Sequence, residues 1–88
     1  MTTGIELIAR ERAEQIKKHG RTPDRDIQEN SNYQLHQGAL KLLRLDRIPP
    51  ENWDIKLWDR MVSKPYKDRL IIAGALISGE IDRLISIG

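Results

Sequence analysis

From Pro65 to Ile87 the chain reads PYKDRLIIAGALISGEIDRLISI, its longest stretch of uninterrupted helix-compatible sequence and its most apolar. As a helix it would be a rod roughly 35 Å long. At 100° per residue, Tyr66, Leu70, Ala73, Leu76, Ile77, Ile81 and Leu84 gather on one wide arc, which predicts the core-facing stripe of an amphipathic helix. Ile71, Gly74, Ala75, Ser78 and Ile85 form a second uncharged arc of smaller side chains. Two buried faces require two sets of partners, and the rest of the chain is short.

Upstream, Thr3 and Glu6 have the spacing of a capping box and predict a first helix running to about Lys18. Lys17, Lys18 and His19 suit its negative end, and Gly20 suits its termination. Its apolar stripe is Ile5, Ile8, Ala9 and Ile16, with Arg12 in the middle of the stripe by angle. Residues 21–31, RTPDRDIQENS, read as a polar connector with at most one turn at Thr22-Pro23. A second helix is predicted from Ser31, capped with Gln34, with Tyr33, Leu35, Ala39, Leu40, Leu42 and Leu43 on one face. Pro49-Pro50 ends it by about Arg47. In ENWDIKLWDRMV, the i, i+4, i+8 spacing of Trp53, Leu57 and Met61 predicts a short third helix, at its shortest confined to the second half of the segment. Ser63 is then expected to cap the long helix, with Lys64 and Pro65 in its first turn. No segment alternates with period two over a useful length. The expectation is an all-α single domain over residues 1–88, a bundle of three to four helices with a long C-terminal one.

Composition narrows the picture. With 39% hydrophobic and 32% charged residues, the chain is expected to be globular and soluble. The absence of cysteine removes disulfides, thiolate metal sites and a cysteine nucleophile. The apolar positions near the N-terminus are interrupted by charges, so no secretory signal is expected there. The uncharged run Leu70–Gly79 is about half the ~20 residues a membrane span needs, so the expected compartment is the cytoplasm. A core this small is marginal alone, which favours a homo-oligomer, most simply a dimer. Small residues let backbones approach closely, so Ile71, Gly74, Ala75, Ser78 and Ile85 are the expected interface; a third helix packed there is the competing reading.

The chain has no Gly-rich phosphate loop, no H-E-x-x-H, no G-x-S-x-G and no dinucleotide fingerprint. Glu11 and Glu14, at i and i+3, can converge on one divalent ion, although such pairs more often form a solvated face. Leu7 shares their face. Glu80 falls inside the apolar stripe of the long helix, where a carboxylate must be paired, protonated or metal-bound. Arg12 holds the matching position on the first helix, so an Arg12–Glu80 ion pair is expected ahead of a ligand role. Asp68 stands roughly 18 Å from Glu80 along the helix and cannot share its site. His36 is expected at the core edge. Lys17/Lys18/Arg21 and Lys41/Arg44/Arg47 read as solvated faces rather than nucleic-acid footprints, which makes a nucleic-acid-binding regulator the least favoured reading.

Glu11-Arg12 with Gln15, Gly20 with Thr22-Pro23, Lys64-Pro65, Asp68, and Ala73-Gly74-Ala75-Leu76-Ile77 followed by Glu80-Ile81-Asp82-Arg83 together resemble a family. It comprises small all-helical proteins of phages and mobile elements, often grouped with MazG-like nucleotide pyrophosphohydrolases, and the likeness covers nearly the whole chain. The resemblance implies a MazG-like arrangement of helices, a nucleotide as ligand, and Mg²⁺ held by acids against a triphosphate. Glu11, Glu14, Asp26 and Glu80 are the metal candidates it leaves. The chain departs from the pattern where Arg25-Asp26-Ile27 replaces H-D-D, where Gln34 replaces a glutamate, and where Arg83 follows Glu80 in place of an aspartate. The expectation is therefore a catalytically degenerate MazG-like protein serving as an oligomeric binding or accessory module. An active Mg²⁺-dependent (d)NTP pyrophosphohydrolase is the alternative.

Overall fold

The computed structural model describes residues 2–19, 23–30 and 33–87. They form five helices and no strand: α1 (Gly4–His19), α2 (Pro23–Glu29), α3 (Gln34–Leu43), α4 (Ile55–Val62) and α5 (Tyr66–Ile87). The architecture is all-α, with one helix more than expected. The extra element is α2, where a proline at the first helical position and Asp24 and Asp26 in the first turn start a seven-residue helix in the expected connector. The readings made at Gly20, Arg21, Thr22 and Ser31, and of the His19 side chain, lie outside the described residues.

The ends of the elements follow local chemistry. Thr3 Oγ1 accepts from Glu6 N–H and Thr3 N–H donates to Glu6 Oε1, both at 3.2 Å, so the capping box opens α1 as expected. Helix α3 ends four residues before Arg47, closed by Asp46 N–H to Lys41 O at 2.9 Å and Leu45 N–H to Leu42 O at 3.4 Å. Asp54 caps α4 by accepting from Lys56 N–H at 2.9 Å, confining that helix to the second half of its segment. Ser63 closes α4 rather than opening α5: its hydroxyl donates to Asp59 O at 2.7 Å.

Helices α1, α2 and α3 all pack on α5, and the core is Leu35, Ala39, Leu42, Trp58, Val62, Ile72, Ala73 and Leu76. The two tryptophans meet edge to face at 5.9 Å, with Trp58 Nε1 donating to Asp46 O.

The buried face of α5 is not the expected one. Ala73 and Leu76 of the predicted stripe are buried, whereas Tyr66, Leu70, Ile77, Ile81 and Leu84 are 42–62% exposed. The core side carries Arg69, Ile72, Ala73, Ala75, Leu76, Gly79 and Arg83. Hydrophobicity alone misranks these faces because the inner arginines find acceptors: Arg69 donates to Lys64 O and Leu42 O, each at 3.1 Å. Small residues on that side admit α1, and the bulky aliphatic stripe is left outside. The same holds for α1, which buries Arg12 and Gln15 while Ile5 is 82% exposed.

Candidate functional site

Glu11 and Glu14 project from α1 toward the α4–α5 junction. They edge a cleft of about 420 Å³ with Lys18, Arg60 and Lys64, floored by Leu57, Met61, Ile72 and Leu76. Glu14 Oε2 lies 2.9 Å from Lys18 Nζ, and that hydrogen bond holds the Lys18 ammonium above its ordinary range. Asp68 enters an adjoining cleft shared with Glu11, Glu14 and Lys64. The cleft thus gathers both signs of charge. Among the described residues, no group of three or more His, Cys, Asp or Glu is placed to hold a metal ion.

The other two metal candidates lie elsewhere, in a polar seam between α2, α3 and α5. Asp26 is fully buried and its Oδ1 accepts from Asn30 Nδ2 at 2.7 Å, while Asn30 Oδ1 accepts from Trp53 Nε1 at 3.0 Å. Glu80 binds Arg83 through two bonds, at 2.6 and 3.1 Å, with both side chains largely buried. That hydrogen bond, with the charges of Glu80 and Asp26, holds Arg83 above its ordinary range against the opposing pull of burial.

The expected Arg12–Glu80 pair is therefore corrected. Arg12 reaches Asp82, the second residue after Glu80, through Nε and Nη2 at 3.2 and 3.1 Å, and Glu80 turns to Arg83 three residues along its own helix. A carboxylate at i and an arginine at i+3 meet on one helix face without crossing the bundle, and this local pairing wins.

The expected interface arc also needs revision. A Cβ on Gly74 would stand 2.7 Å from Ile8 Cδ1, and one on Gly79 would stand 3.2 Å from Arg12 Nη1. Ala75 is fully buried, Ile71 and Ser78 are half-buried, and Ile85 is 71% exposed. Gly74 and Gly79 thus make room for Ile8 and Arg12 of the chain's own α1.

What α5 leaves outward is a groove against α3, of about 320 Å³, lined by His36, Leu40, Leu43, Ile77, Glu80 and Ile81. Sequence reasoning assigned most of these residues to the core. No spacing in the sequence marks the packed side, because Arg69 and Arg83 share a face with Ile72 and Leu76 and are read from sequence as solvent-facing.

The basic clusters support local structure. Lys41 donates to Ile48 O at 3.3 Å, Arg47 to Ser63 Oγ at 3.3 Å, and Lys18 pairs with Glu14. No helix among the described residues is long and apolar enough to cross a membrane. No protein-family model, curated protein or solved structure matches the chain.

Proposed function

We propose that the chain is a catalytically degenerate MazG-like helical protein of phage or mobile-element type. It works in the cytoplasm as a protein-interaction module, engaging its partner through the outer face of α5 and the adjoining α3 groove. The observation that carries this reading is the run of exposed leucines and isoleucines along α5 beside that groove. The fate of the acids supports it: Glu80 binds Arg83, Asp26 is buried against Asn30, and Glu14 faces Lys18.

The enzyme reading is retained on one observation, the shared cleft of Glu11, Glu14 and Asp68. A thermal-shift series with Mg²⁺ and a panel of (d)NTPs separates the two. The interaction module is unmoved by the combination. Joint stabilisation by Mg²⁺ and a nucleotide, lost in Glu11→Gln, overturns it in favour of the enzyme.

A further inference from the structure

Gln15 lines the cleft between α1 and α4, is only 3% exposed, and has an Oε1 with no hydrogen-bond partner. A buried amide oxygen in that state has given up water without gaining a donor. A donor entering the cleft would remove that fault, so the chemistry around Gln15 tells what the donor is attached to.

Glu11, Glu14, Gln15 and Lys18 stand at i, i+3, i+4 and i+7 and share one face of α1. The first three present oxygen acceptors, and Lys18 offsets part of the charge by pairing with Glu14. This wall suits a cation rich in N–H donors. The other wall comes from the end of α4, with Arg60 in its last turn and Lys64 just beyond it. Both are exposed, and neither forms an ion pair among the described residues. That wall suits an anion. The floor between them is Leu57, Met61, Ile72 and Leu76, apolar throughout. Arg10 and Asp68, in the adjoining cleft, offset one another in charge.

A ligand of a single sign fails on one wall. A bare anion would meet Arg60 and Lys64 but would set its charge against Glu11 and leave Gln15 Oε1 unpaired. A bare cation would satisfy Gln15 and leave the α4 wall without a partner. We infer that the cleft binds a small zwitterion with an ammonium or guanidinium end, an apolar stem of lysine length, and a carboxylate end. The cationic end donates to Gln15 Oε1 and to Glu11. The stem lies over Leu57 and Met61, as long charged side chains lie along apolar surface. The carboxylate accepts from Arg60 and Lys64. At about 420 Å³ the cleft is within the ordinary range for a small-molecule site. It shares no lining residue with the α3–α5 groove, so the inference does not rest on the interaction face.

The test is a ¹H–¹⁵N NMR titration of the full chain with ε-aminocaproate, using caproate and pentylamine as probes that keep one charged end each. ε-Aminocaproate should shift the Gln15 side-chain amide and the backbone amides of the residues lining the cleft. It should bind at least about tenfold more tightly than either single-ended probe. Gln15→Leu should weaken it by about tenfold, because the acceptor is gone. Arg60→Gln combined with Lys64→Gln, both at exposed positions, should reduce ε-aminocaproate to the affinity of pentylamine. The dispersion of each spectrum reports whether the variant is folded, and the α4 variant keeps the test open if Gln15→Leu is not. No shift with ε-aminocaproate at about 20 mM overturns the inference. So does equal binding of caproate and ε-aminocaproate, or wild-type affinity in either folded variant. Shifts confined to the α3–α5 groove overturn it too. No arm contains Mg²⁺ or a nucleotide, so the zwitterion site can fail while the interaction module stands, and the reverse.

Discussion

Arg12 on α1 grips one oxygen of Asp82 on α5 through both Nε and Nη2, while its guanidinium carbon lies 3.3 Å from where a Cβ on Gly79 would stand. The contact joins the first and last helices and explains why a glycine occupies a buried position of α5. Its partner carboxylate is 42% exposed, whereas the Glu80 and Arg83 side chains are 12% and 6% exposed.

The two ion pairs should therefore differ in weight. Glu80→Ala leaves the Arg83 charge buried without its carboxylate and should destabilise by about 3 kcal/mol or more. Asp82→Ala removes a partly solvated partner and should cost about 1 kcal/mol. Urea denaturation of both variants checks the order. Asp82→Ala proving the more damaging would contradict it.

Gly38 brings α3 against an indole: a Cβ there would lie 2.6 Å from Trp53 Cη2 and 2.9 Å from Cζ3. Alanine gains about 1 kcal/mol of helix propensity, but the ring also bonds Asn30 and cannot retreat freely. Gly38→Ala should destabilise by roughly 1–3 kcal/mol. A higher melting temperature in that variant would show that the ring gives way.

Much of this architecture is legible in the sequence. The capping box at Thr3, the short α4 and the long α5 each rest on local signals. The choice of face on α5 is not local. Arg69 and Arg83 enter the core only because Leu42 O, Lys64 O and Glu80 wait there, and no periodicity reports where another segment's carbonyl will stand. Glu80 was legible as a paired carboxylate; its partner was not, because Arg12 and Arg83 both satisfy the charge argument. Glu11, Glu14, Asp26 and Glu80 were each visible as acids, while their separation into a cleft and a buried seam depends on tertiary packing.

Leu45 offers a gain. It follows α3 with φ 59°, the left-handed region where glycine carries no Cβ penalty. It is 52% exposed, so little packing is lost on truncation. Leu45→Gly should stabilise by about 1 kcal/mol in thermal or urea unfolding. A clear loss of stability would mean that its side chain holds a contact of greater worth.

Asp46 gives the fold a pH dependence. Its Oδ1 accepts from Ile48 N–H at 2.9 Å and its Oδ2 lies 3.7 Å from Lys41 Nζ. The backbone bond first, and then Lys41 and Arg44, hold its carboxyl below the ordinary 3.8. A carboxyl with a depressed folded value binds its proton less readily in the folded state. Its contribution is thus present above about pH 4 and is lost as pH falls through the lower folded value. Asp46→Asn should flatten the acid limb of the stability curve and leave its slope near neutrality unchanged. An acid limb identical to that of the wild type would remove Asp46 from the account.

The claim that the acids hold the bundle together instead of performing chemistry meets its most direct test in pyrophosphate release. Purified full-length chain, incubated with Mg²⁺ and each common dNTP, should release no more pyrophosphate than a buffer control. Mg²⁺-dependent release that disappears in Glu11→Gln or Glu14→Gln would contradict the account.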